Sequence, residues 1–127
     1  MSPTDLISKH TANPINFGRV PGFTRSGAAR GLLHDDFIAF QVKIKRGCAV
    51  DVKWSGTGCA VTMAAASIVA EAIEGKSVIN IFSTMSTALA PLKGFNEACL
   101  AVIMEAVDCC FDPDPKQRGL VRSQYEF

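Results

Sequence analysis

From Phe37 onward, Ile38, Phe40, Val42 and Ile44 recur at every second position, with Ala39, Gln41, Lys43 and Lys45 between them. A period of two is the mark of a half-buried strand. Arg46-Gly47 reads as a turn, and "CAVDVKW" (Cys48 to Trp54) alternates again, so the pair predicts a β-hairpin closed by "SGTG". The period then changes. From about Ala60 to Glu74, Val61, Ala64, Ala65, Ile68 and Ala72 share one arc of a helix, with Ser67, Glu71 and Glu74 opposite and Gly75 as its stop. "SVINIFSTMSTALA" is a second, less regular helical stretch ending at Pro91. The last helix, roughly 96 to 111, is apolar nearly all round, with Glu97, Glu105 and Asp108 as a narrow polar stripe, and is expected to be largely buried.

Ahead of the hairpin, residues 2 to 12 predict a short helix beginning at Ser2 with Pro3 in its first turn and Asp5 at its positive end. Asn13-Pro14 ends it, because a residue before proline avoids the helical region. "INFGRVPGFTRSGAARG" is glycine-rich and aperiodic, and reads as an irregular or mobile loop. Residues 112 to 127 form a polar tail with two prolines, expected to lie on the surface or loose. There is no internal repeat. The order of elements predicts one α+β domain over residues 1–127, with a small antiparallel sheet covered by helices on one face.

Composition narrows the function classes. The 127 residues carry a net charge of +1, which is no nucleic-acid footprint. No apolar run approaches the roughly 18 residues of a membrane span, and the start "MSPTDLISKH" lacks signal-peptide features. The expectation is a cytoplasmic protein that meets no membrane. Five cysteines without an export signal point to thiols or metal ligands rather than a disulfide framework.

Cys59 lies between a glycine-flanked turn and the helix that follows. A thiol at a helix N-terminus meets unpaired N–H groups and the positive end of the dipole, which favour thiolate, the form that binds metals and attacks electrophiles. In "LLHDDF", His34 and Asp36 are two apart, so in extended chain they point to one side, with Asp35 opposite. An imidazole and a carboxylate at a strand mouth suit zinc or iron. Cys99 stands near the start of the last helix. Cys110 shares its face but lies about 16 Å further on, too far to share one metal. Spacing alone therefore yields His34, Asp36, Cys59 and Cys99 as a candidate metal site. Cys109 and Cys110 read as core packing, Cys48 as structural, and His10 as a solvated helix residue.

These segments resemble the U-type iron–sulfur cluster scaffolds: IscU, SufU and the N-terminal domain of NifU. "HTANPINFG" resembles that family's His-Tyr-x-Asn-Pro-Arg-Asn-Phe-Gly stretch, and "HDDFIAFQVKI" its Cys-Gly-Asp followed by a strand. "GTGCAVTMAAASIVAEAIEGKS" is similar to its Gly-x-Gly-Cys-Ala-Ile-Ser-x-Ala-Ser-Ala-Ser helix ending in Gly-Lys, and "ACLAVIMEAV" to the final helix headed by the third cysteine. The resemblance runs over about residues 4 to 108. Cys59 falls on the second of three cysteines. The first is replaced by His34, with Asp35 in place of glycine, and Ala98 stands where IscU usually has histidine. The chain also lacks room for the insertion that marks SufU.

The resemblance implies a scaffold or carrier. A cysteine desulfurase would deliver sulfur to Cys59 or Cys99 as persulfide acceptors, and His34, Asp36, Cys59 and Cys99 would hold iron or a [2Fe–2S] cluster for transfer to apo iron–sulfur proteins. "LAPLK" (Leu89 to Lys93) is similar to the segment through which IscU contacts an Hsp70-type chaperone. Such a protein is an assembly platform rather than an enzyme turning over a small molecule. The alternatives are a zinc-bound sulfur acceptor, for which four mixed ligands suffice, and a regulatory paralogue that has lost assembly activity along with the first cysteine.

Overall fold

The computed structural model describes residues 2–31, 35–95 and 97–111. Helix α1 (Pro3–Ala12) starts where Ser2 Oγ accepts the Asp5 N–H at 3.1 Å, with proline at its first position. Strands β1 (Arg25–Arg30), β2 (Phe37–Lys45) and β3 (Cys48–Thr57) form one antiparallel sheet in the order β1-β2-β3. Helix α2 (Ala60–Ile73) follows, then a 3-10 turn (Val78–Asn80), α3 (Ile81–Leu89), a second 3-10 turn (Ala90–Leu92) and α4 (Glu97–Phe111).

The hairpin forms where the alternation predicts it. Ile38, Phe40 and Val42 of β2 and Ala49, Val52 and Trp54 of β3 are buried on the sheet face that α2 and α4 cover. The two strands keep register from Phe37↔Thr57 to Lys43↔Asp51, and a bulge then shifts the pairing to Ile44↔Ala49. That shift is why the buried positions of β3 are spaced three apart between Ala49 and Val52 and two apart thereafter.

Three expectations are corrected. The stretch expected to be an irregular loop contains β1, whose Gly27 pairs with Phe40 and whose Ala29 pairs with Ile38. Helix α4 lies so close to this strand that a Cβ on Gly27 would come within 2.5 Å of Cys110 N and 2.6 Å of Ala106 O. His10, expected to be solvated, is buried, with Nδ1 2.7 Å from Ser67 Oγ. Ser67 itself, placed by periodicity on the polar arc of α2, is buried because α1 packs against that side of the helix. Helix α4 is largely buried, as its apolar surface predicts, and of its polar stripe Asp108 is buried with it while Glu97 is exposed.

The "HTANPINFG" segment fastens these parts together. The Ile15 N–H donates to Ser67 Oγ at 2.7 Å, and the Trp54 indole N–H donates to the Ile15 carbonyl at 2.9 Å. Trp54 N–H donates to Asn16 O, Gly18 N–H donates to Trp54 O, and the Phe17 ring stands edge-on to Trp54. The free edge of β3 is thus closed beside α2. Cys109 and Cys110 are buried against β1 and β2, with Cys110 Sγ donating to the Phe40 carbonyl at 3.4 Å. The polar tail 112–127 and His34 lie outside the described residues.

Candidate metal centre

Asp36 sits immediately before β2, and its carbonyl accepts the Gly31 N–H at 2.8 Å across the mouth of the β1–β2 connection. Asp36 is only 3% exposed, while Asp35 beside it is exposed. A buried carboxylate needs donors. Asp36 Oδ1 accepts the Cys59 N–H at 3.1 Å, and Oδ2 accepts the Thr62 hydroxyl at 2.7 Å.

Cys59 is the N-cap of α2 and is exposed. Its Sγ lies 3.3 Å from Thr62 Oγ1 and 3.3 Å from Cys99 Sγ. Cys99 is buried in the first turn of α4, with Sγ 3.7 Å from Asp36 Oδ2. Gly58 makes this packing possible: a Cβ there would stand 2.7 Å from Asp36 Oδ1 and 3.1 Å from Thr62 Cγ2. One ligand atom each from Asp36, Cys59 and Cys99 falls within 4.8 Å of the others.

The two thiols are set apart electrostatically. Partial burial works to raise the Cys59 thiol, but the Thr62 hydroxyl, the Thr62 backbone amide and the Cys99 thiol outweigh it and hold Cys59 below its ordinary value. Burial pushes Cys99 up to about 12; the Thr62 hydroxyl pulls it down, while Cys59 and the Asp36 carboxylate add to the rise. Cys59 is therefore the thiol that ionises first, and it is also the one that faces solvent.

Of the four residues singled out from the sequence, three meet and His34 lies outside the described residues. Thr62 was missed. Its signal was present, since residues three apart on a helix are neighbours and Thr62 stands three after Cys59. Two sulfurs and one carboxylate oxygen form a donor set that suits iron or zinc, and a fourth donor completes a tetrahedral site.

The model of the family described as NifU-like N terminal domain matches residues 3–108. The chain belongs to this family. NifU-type relatives include the iron–sulfur cluster assembly scaffold protein IscU of Thermotoga maritima, 36% identical over 86 residues, which are 67% of this chain and 61% of the relative. Scaffold proteins IscU 1 and IscU 2 of Archaeoglobus fulgidus are each 25% identical over 91 residues, or 72% of this chain and 60% of the relative. The chain thus spans about three-fifths of the length of these curated relatives. Among solved structures, a SUF-system scaffold described as putative from Fervidobacterium islandicum superposes with a TM-score of 0.70 at 15% identity, covering 85% of this chain and 95% of the other. The N-terminal part of a NifU-like protein from Brucella abortus gives 0.68 at 15% identity, covering 87% and 94%. These two establish the α+β NifU-type fold. Among the described residues, no helix is long and apolar enough to cross a membrane.

Proposed function

We propose that this NifU-type domain is an iron–sulfur cluster assembly scaffold or carrier, receiving sulfur from a cysteine desulfurase and passing a cluster to apo iron–sulfur proteins. The observation that carries the reading is the convergence of Asp36, Cys59 and Cys99, with one sulfur exposed and two ligands buried behind it. Cys59 is the entry point for sulfur, since it is the exposed thiol and the one whose thiolate is favoured. Asp36 and Cys99 hold iron from the protein side. Asp36 is a hard, exchangeable oxygen donor, which suits cargo that has to leave. His34, two residues before Asp36, is the candidate fourth donor in place of the family's first cysteine.

A chaperone contact at Leu89–Lys93 has to be made by Ala90, Pro91 and Lys93, because Leu89 and Leu92 are part of the core. Binding of the chain to an Hsp70-type chaperone, weakened by Lys93→Ala, supports that part of the reading.

The deciding experiment measures iron, zinc and acid-labile sulfide on protein purified without oxygen, before and after addition of a cysteine desulfurase, cysteine and ferrous iron. Iron and sulfide in similar amounts, lost in Cys59→Ser and reduced in His34→Ala, are expected. Zinc with no sulfide under the same treatment would replace the scaffold with a zinc-bound sulfur acceptor. Neither metal nor sulfide would leave a partner that has lost assembly chemistry.

A further inference from the structure

The site holds two thiols in direct contact, one outside and one inside. Cys59 Sγ is 3.3 Å from Cys99 Sγ, so the two sulfurs are already in contact and need to close by little more than about 1 Å to reach a disulfide bond of about 2.05 Å. Cys99 is on the buried side, and Cys59 is open to solvent. A sulfur atom added to the exposed Cys59 thiol has solvent to extend into, while the buried Cys99 Sγ stands 3.3 Å from Cys59 Sγ. Thiol–disulfide exchange needs a nucleophilic sulfur behind the sulfur attacked and a leaving group in front. The remaining cysteines are elsewhere. Cys109 and Cys110 pack against the sheet and Cys48 heads β3 at the hairpin turn.

We propose that Cys99 is the resolving thiol for sulfur carried on Cys59, so that the chain itself reduces a Cys59 persulfide and releases sulfide beside Asp36. The proposal rests on the reading of Cys59 as sulfur acceptor. Cys99 Sγ attacks Cys59 Sγ of Cys59–S–SH; the Cys59–Cys99 bond forms, the S–S bond to the outer sulfur breaks, and that sulfur leaves as HS⁻. The Cys99 proton passes to Asp36 Oδ2, which stands 3.7 Å from Cys99 Sγ. The two electrons that reduce the outer sulfur to sulfide come from the pair of cysteines, which end as a disulfide. An external thiol reductant is needed only to return that disulfide to two thiols.

The test uses the full chain, stripped of metal by a chelator and kept free of oxygen, with cysteine persulfide as the probe. The Cys59 thiolate takes the outer sulfur and leaves free cysteine. Released sulfide, intact mass and a disulfide map are followed in time. In the wild type, the sulfur-loaded species is expected to decay in step with sulfide release into a chain lacking two hydrogens, with Cys59 joined to Cys99. Cys99→Ser is expected to keep the added sulfur on Cys59 and to release sulfide about tenfold or more slowly. The wild-type map stands by itself if that variant folds poorly, and Cys99→Ala serves as a second check. A wild type that holds the sulfur on Cys59 with Cys99 still a thiol overturns the inference and leaves Cys59 as acceptor. Release at the same rate in Cys99→Ser also overturns it. Failure of either protein to take sulfur on Cys59 overturns the acceptor reading as well.

Discussion

The Thr62 hydroxyl donates to Asp36 Oδ2 across 2.7 Å and so ties the first turn of α2 to the start of β2. The same oxygen is 3.3 Å from Cys59 Sγ, so one side chain touches two of the three converging ligands. Thr62 and Asp36 are both buried, so Thr62→Val leaves a carboxylate oxygen short of a donor in a place that water does not reach. The expected loss of stability is about 1–3 kcal/mol, read from the urea midpoint. Metal affinity is expected to fall by roughly 10- to 100-fold, the usual effect of removing a group that orients a ligand, measured by chelator competition. Thr62→Ser keeps the hydroxyl and should restore most of both.

Alkylation should separate the two thiols by pH. Cys59 is held below its ordinary value and exposed, and Cys99 is pushed up to about 12 and buried. As pH rises, the Cys59 adduct should appear first, with a midpoint below that of an ordinary cysteine, and Cys99 should stay unmodified throughout the neutral range. Peptide mapping after iodoacetamide treatment of metal-free protein reads both. In Thr62→Val, the Cys59 midpoint should move up. Equal labelling of the two cysteines at neutral pH would contradict the geometry.

Gly27→Ala tests the approach of α4 to the sheet. The new methyl carbon would meet backbone atoms at 2.5 and 2.6 Å and Cys109 Cβ at 2.7 Å, and neither strand nor helix can yield cheaply. Overpacking of this kind costs about 1–3 kcal/mol or more. The urea midpoint should drop with the slope unchanged. Gly47→Ala is a useful contrast, since no atom lies within 4 Å of the added carbon there and any loss reflects the positive φ alone.

His10 gives the fold an acid sensitivity of known sign. Burial lowers its pKa, with Lys9 acting in the same direction and Glu71 against them. Ser67 Oγ already accepts the Ile15 N–H, so its one proton is available to His10 Nδ1, and that arrangement requires a neutral imidazole. The native state therefore binds fewer protons than the unfolded chain near the ordinary histidine value of about 6.5. Stability is fully present above that value, declines as pH falls through it, and levels off below the folded-state value. Urea midpoints measured between roughly pH 8 and pH 5 should show this slope, and His10→Gln should flatten it.

The elements legible in the sequence were those whose pattern had a local cause. The hairpin showed as alternation, α4 as an apolar surface on all sides, and the site through Asp36, Cys59 and Cys99, each standing at or near the start of an element. What was hidden depended on contacts distant in the chain. β1 has no alternation because its paired positions facing α4 are Gly27 and Ala29, where the helix comes too near for larger side chains, and small residues leave no hydrophobic signal. His10 and Ser67 each look like surface polar residues until they are brought together across 57 positions. Spacing did bring Asp36, Cys59 and Cys99 together as candidates, but Thr62, which bonds to two of them, was passed over because a lone threonine inside an apolar helix carries no pattern of its own.

The contacts that join Asp36 to Cys59, Cys59 to Cys99 and Cys99 to Asp36 span 23, 40 and 63 positions of chain. The site is therefore complete only after the last helix has docked, and no half-made chain can hold metal through all three groups. A metal held by all three groups would thus report, by its presence alone, that α4 has reached its place against α2 and the sheet.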